Sequence, residues 1–179
     1  IDRLSLTEER INAIANSVAD IRKLEDPSGK ILEEWSRPNG LKFQKVSVPI
    51  GVLGMIYESR PNVTIDAAAL ALKSRNAIIL RGGSESFNSS SSLHKLVVEA
   101  LTKNGLPESC VAMVPGQDRA LVGEMLHATG LIDVIIPRGG KGLKSRVMDE
   151  AKMPVFAHLD GNCHVYVHAS AKPDLALNI

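Results

Sequence analysis

Two short stretches of this sequence place an arginine beside paired glycines directly after an apolar run. They are Arg81-Gly82-Gly83-Ser84-Glu85 and Pro137-Arg138-Gly139-Gly140-Lys141-Gly142. Glycine lets backbone N–H groups approach an anion, and a following helix adds its positive end, so the two turns suit a phosphorylated ligand. Glycine turns are also common connectors, and ordinary strand–helix turns remain the competing reading. Standard nucleotide patterns are absent: there is no G-x-x-x-x-G-K-[ST], and Gly140-Lys141-Gly142 lacks the third glycine of G-x-G-x-x-G. Cys163 adjoins His164, but neighbours on a strand point to opposite faces, so the pair is read as structural rather than as a thiolate–imidazole dyad. Cys110, before an apolar strand, reads as core. The five histidines (94, 127, 158, 164, 168) show no metal-ligand spacing. Asp66, Asp118 and Asp133 carry only cap or surface readings.

These turns need a scaffold, and the chain supplies a regular one. Thr7 is a candidate N-cap for an opening amphipathic helix, with Glu8 and Glu9 at its positive end and Leu6 and Ile11 at staple spacing; Asp26-Pro27-Ser28-Gly29 ends it. Ile31–Ser36 and Leu41–Val48 flank Arg37-Pro38-Asn39-Gly40, a hairpin signal, and this hairpin is amphipathic. From Pro49 onward, short aliphatic runs alternate with helical patterns. The strands are expected at Gly51–Tyr57, Ala77–Leu80, Val111–Val114, Ile132–Ile136 and Val155–Ala157, the helices near 64–74, 89–103, 118–128 and 141–151. Asn104-Gly105 reads as a helix C-cap. The implied fold is α/β: an open parallel sheet with helices on both faces, plus the hairpin. His164–Ala169 alternates differently and is expected to be a strand of a second domain. In such a sheet ligands bind beyond the carboxyl ends of the strands, where the arginine–glycine turns fall.

Composition narrows the classes. A chain of 179 residues with 44% hydrophobic and 23% charged residues is neither disordered nor a disulfide scaffold. A net charge of +1 and 3% aromatics give no basis for bulk attraction to nucleic acid or for base stacking. No apolar run approaches the ~20 residues a bilayer requires. Two cysteines without CxxC spacing point to a reducing compartment, read as cytoplasmic. The chain opens on Ile1, and Pro173 starts an apolar run that reads as a helix without a stop, so a longer parent is expected.

Several stretches together resemble one family: Val48-Pro49-Ile50-Gly51-Val52; Tyr57-Glu58-Ser59-Arg60-Pro61-Asn62-Val63-Thr64; Ile79 to Glu85; Ile132 to Gly140; His158-Leu159-Asp160-Gly161; and Cys163-His164-Val165-Tyr166-Val167. In order and over nearly the whole chain they are similar to the gamma-glutamyl phosphate reductases of the aldehyde dehydrogenase superfamily. The resemblance implies NADPH-dependent reduction of L-glutamyl 5-phosphate to L-glutamate 5-semialdehyde in proline biosynthesis, through a cysteine thiolate and a thioester. The family's Arg-Pro-x-x-Cys-Asn-Ala-x-Glu-Thr motif has no match here, so the nucleophile is expected beyond Ile179. By position, Asn62 would line the oxyanion hole. Arg81, Ser84 and Glu85 would hold the adenosine ribose side, and Arg138, Gly139 and Gly140 the pyrophosphate. His158 or Asp160 would stand where related dehydrogenases keep a general base. Residues 1–152 would form the NADP(H)-binding domain, with an oligomer-type hairpin near 31–48, and 153–179 the start of the catalytic domain. A homo-oligomer and functional coupling to glutamate 5-kinase are also implied. Arg75, Asn162 and His168 depart from the family pattern; Arg75 sits where glycine is usual at a helix end. The rival expectation is a non-catalytic domain that binds a phosphorylated ligand.

Overall fold

The computed structural model describes residues 4–157 and 164–177. Helix α1 (Glu8–Lys23) starts where Thr7 Oγ1 accepts the Arg10 amide at 3.3 Å. It is followed by the hairpin β1 (Ile31–Ser36) and β2 (Lys42–Val46). Next come β3 (Val52–Tyr57), α2 (Asn62–Lys73), β4 (Ala77–Arg81), α3 (Phe87–Lys103) and β5 (Val111–Met113). The series continues with α4 (Ala120–His127), β6 (Val134–Arg138), α5 (Lys141–Glu150) and the short α6 (Pro173–Leu177). Among the described residues no helix is long and apolar enough to cross a membrane.

The four strands β5-β4-β3-β6 pair in parallel in that order. The chain runs outward from β3 to β5, then crosses back to place β6 on the other side of β3. Alternate side chains feed two cores. Leu53, Tyr57, Ile78, Leu80 and Val111 pack against Ala67, Ala68 and Ala71 of α2 and Leu101 of α3. Ile56 and Ile135 pack against Val122, Met125 and Leu126 of α4 and Val147 of α5. Both faces are therefore covered, which is why the strands read as continuous aliphatic runs.

The hairpin forms with its turn at Asn39-Gly40, Gly40 taking φ +86°. Every β1 and β2 residue is exposed, and Trp35 stacks on Phe43 with centroids 5.5 Å apart. Two expectations need correction at the other end. Val155 makes only an isolated parallel bridge to Ile135, so Val155–Ala157 is not a strand. His164–Ala169 is not one either: alternation supplies a face, but a strand also needs a partner edge, and no pairing to it exists among the described residues. Helix α2 begins two residues before the apolar period suggests, because Pro61, at φ −59°, is already set in the helical region.

Helices α2 and α3 both end on a residue in the left-handed region. Asn104 and Gly105 close α3 with the Leu106 amide bonded to the Leu101 carbonyl at 2.9 Å and Gly105 at φ +70°. Helix α2 closes identically, with Asn76 N–H on Ala71 O at 2.8 Å, but the left-handed position is Arg75, at φ +59°. Its guanidinium meets Asp26 Oδ2 at 2.7 and 3.0 Å and so ties α2 to the segment after α1. Gly51, at φ +125°, lies where a Cβ would run into the Asp133 carboxylate.

Gly51→Ala should therefore destabilise the fold by about 2 kcal/mol or more, through a strained φ and a displaced Asp133. Arg75→Gly should relieve up to about 1 kcal/mol of backbone strain, offset in part by loss of the Asp26 pair. Urea unfolding reads both; a Gly51→Ala protein as stable as the parent would contradict the first.

Candidate functional site

The carboxyl ends of β3, β4 and β6 converge on one edge, and acidic side chains stitch them together. Glu85, in the turn after β4, accepts from Ser59 N at 2.8 Å and Ser59 Oγ at 2.7 Å. Ser59 sits at φ +49°, and this clamp holds it there. Glu58 crosses the other way, with Oε2 accepting the Gly140 amide at 2.9 Å at the start of α5. The Glu58 amide in turn donates to the Arg138 carbonyl at 3.1 Å. The glycines are there for room: a Cβ on Gly83 would lie 2.5 Å from Glu85, and one on Gly139 would lie 2.5 Å from Glu58. Glu58 thus places a carboxylate on the anion-favouring N-terminus of α5.

Arg81 ends β4 almost fully buried, at 6% exposure. It bonds the carbonyls of Gly82, Gln117 (3.0 Å) and Asp118 (3.2 Å), pinning the loop after β5, while its Nε is buried without a partner. Below it, Tyr57 is 1% exposed with its hydroxyl 2.8 Å from Thr64 Oγ1, and burial pushes the phenol pKa up. Ser84 is exposed beside Glu85. Asn62, exposed at the first turn of α2, donates to Asp66 at 3.0 Å; Asp66 also accepts from Ser17 of α1 at 2.9 Å.

Three cavities follow this edge in series. One of about 320 Å³ is walled by Arg81, Ser84, Glu85, Arg119 and Arg146 together with Glu58 and Ser59. One of about 270 Å³ shares Glu58 and Ser59 and adds Arg60, Arg138, Gly139 and Gly140. One of about 490 Å³ shares Arg60 and adds Asn62, Asp66 and the α1 residues Arg10 and Ser17. The ribose-side and phosphate-side residues named from sequence thus adjoin through Glu58 and Ser59, and Asn62 lies in the third space. His158, Asp160, Asn162 and Cys163 lie outside the described residues. Among the described residues no cluster of His, Cys, Asp and Glu could hold a metal ion.

A family model for aldehyde dehydrogenases matches residues 6–179. The chain belongs to the aldehyde dehydrogenase family. It is 56% identical over 179 residues to the gamma-glutamyl phosphate reductase of Rhodospirillum rubrum and 56% identical over 178 residues to that of Gluconobacter oxydans. These alignments cover 100% and 99% of the chain but 42% of each relative, so the chain spans less than half the length of the curated relatives it matches. The solved gamma-glutamyl phosphate reductase of Thermotoga maritima superposes with a TM-score of 0.83 at 45% identity, covering 86% of this chain and 37% of that one. The Saccharomyces cerevisiae structure gives 0.80 at 33% identity, covering 89% and 41%.

Sequence reading passed over three residues that this geometry brings to the edge. Glu58 stands in a quoted run but received no role; its signal was an acid directly after β3, opposite a glycine pair. Arg119 and Arg146 come from the loop after β5 and the second turn of α5, and only tertiary folding sets them against Arg81.

Hydrogen bonds from its own backbone N–H, and then from Ser59, hold the Glu85 carboxyl below the ordinary value of 4.5. A lowered folded-state pKa contributes stability that is present above 4.5 and is lost as pH falls through the lowered value. Glu85→Gln should therefore cost stability at neutral pH and progressively less as pH falls below 4.5, read as urea midpoints across that range. An equal cost throughout would mean that the ionised carboxylate is not what holds Ser59.

Proposed function

We propose that this chain is the cofactor-binding part of an enzyme that reduces L-glutamyl 5-phosphate with NADPH to L-glutamate 5-semialdehyde and releases phosphate, a step of proline synthesis from glutamate. The observation that carries this reading is the series of three cavities that share lining residues along the carboxyl edge of the sheet. Likeness to gamma-glutamyl phosphate reductases over the whole chain supports the substrate.

The residues fit a phosphorylated dinucleotide. Glu85 offers carboxylate oxygens to ribose hydroxyls, and Arg119 and Arg146 bring positive charge to the same wall, where a 2′-phosphate distinguishes NADPH from NADH. Arg81 contributes by holding the Gln117–Asp118 loop, with its buried Nε the one group of its guanidinium still without a partner. Gly139 and Gly140 let the backbone come close to a pyrophosphate, which would take the place of the Glu58 carboxylate on the Gly140 amide. When bound, the nicotinamide supplies the hydride. Asn62 keeps one amide hydrogen beyond the one donated to Asp66, suited to the oxygen of the reacting carbonyl. The thiolate that displaces phosphate comes from outside these residues, and Cys163 is not that nucleophile. Residues 1–152 form the cofactor domain and 153–179 begin the catalytic one. The exposed Trp35–Phe43 hairpin is the contact between copies of a homo-oligomer. The labile acyl phosphate favours supply by a functionally coupled glutamate 5-kinase. The enzyme works in the cytoplasm.

The test is an NADP+-linked assay run in reverse, with glutamate 5-semialdehyde and inorganic phosphate. The full-length protein should form NADPH only when phosphate is present, and Cys163→Ala should keep most of that activity. The 179 residues alone should show none. Phosphate-independent turnover, or loss of activity in Cys163→Ala, would overturn the corresponding assignment.

A further inference from the structure

Arg60 is the side chain common to the second and third cavities, and among the described residues none pairs with it. It is half-buried, yet makes no hydrogen bond or ion pair among the described residues. The carboxylates that line the same two cavities are already engaged: Glu58 on the Gly140 amide, and Asp66 on Ser17 and Asn62. Its backbone is fixed. Pro61 is fully buried, and the carbonyls of Arg60 and Pro61 accept the amides of Val63 at 3.0 Å and Thr64 at 3.1 Å. An unpaired, half-buried arginine on a fixed backbone between two cavities is a ready partner for an anion.

We infer that Arg60 binds the phosphoryl group of the substrate, the group that leaves in reduction and attacks in the reverse direction. This rests on the reading above and deepens it. An acyl phosphate needs two sets of donors about one carbon: one for the carbonyl oxygen and one for the departing phosphate. The Arg60-Pro61-Asn62 tripeptide presents both, on either side of a buried proline. As the thiolate attacks the carbonyl carbon, its C–O bond to phosphate breaks and the electron pair leaves on the phosphate oxygen. The guanidinium charge favours that build-up without any proton transfer. Arg10 lines the same large cavity, but its Nη1 donates to the Ser5 carbonyl at 3.0 Å, which makes it the comparison residue.

In the full-length protein, Arg60→Gln should raise the KM for inorganic phosphate in the reverse assay by about tenfold or more and leave that for NADP+ within about twofold. Arg60→Lys should recover part of the loss, and Arg10→Gln should affect phosphate less. An unchanged phosphate KM in Arg60→Gln, with the wild type active, overturns the inference and leaves the function standing. Absence of phosphate-dependent activity in the wild type would instead sink the function. A second measurement needs neither variant nor turnover: phenylglyoxal modification of wild-type Arg60, followed by mass spectrometry, should be slowed by inorganic phosphate. Unprotected modification at saturating phosphate would overturn the inference even if Arg60→Gln failed to fold.

Discussion

Four side-chain oxygens hold the ends of the parallel sheet, and the arrangement of everything else follows from them. At the amino edge, Asn76 accepts the Gly51 amide at 2.9 Å and Asp133 accepts the Val52 amide at 2.7 Å. At the carboxyl edge, Glu85 accepts from Ser59 and Glu58 accepts from Gly140. Parallel strands end with backbone groups that no ladder satisfies, and these four side chains give such amides a partner. Each of these side chains comes from a neighbouring strand's connection, so satisfying an amide also fixes the register of β3 against β4 and β6.

That constraint shapes the candidate site directly. The carboxylates that close the carboxyl edge are also the groups that wall its cavities. Their positions favour glycine at Gly83 and Gly139, where a Cβ would push these carboxylates out of the hydrogen bonds they make. The arginines divide by burial. Arg81 is turned inward to hold a loop, whereas Arg60 lines two cavities without a partner among the described residues. An arginine beside glycines in sequence is therefore not automatically the one that meets ligand; burial assigns some to the scaffold.

The segments most readable from sequence were those whose signals are local. The Thr7 cap, the Asn39-Gly40 turn and the Asn104-Gly105 stop each depend on a few neighbouring residues, and each forms as read. The left-handed backbone at Arg75 was legible as a departure from glycine. Segments that need a distant partner were less readable. His164–Ala169 alternates as a strand should, but alternation does not provide an edge to pair with, and Val155 finds only a single bridge.

Sequence alone determined the parallel α/β class, the two glycine turns at strand ends and the family they resemble, because aliphatic runs, helix periods and turn residues act over short range. Tertiary structure alone decided which charges face which. It set Glu58 against Gly140, 82 positions away, and Glu85 against Ser59, 26 away. It brought Arg119 and Arg146 to the wall that Glu85 lines, and left Arg60 between two cavities. These relations depend on strand order, in which β6 returns to the far side of β3, and strand order is settled by the packing of whole faces rather than by any residue's neighbours.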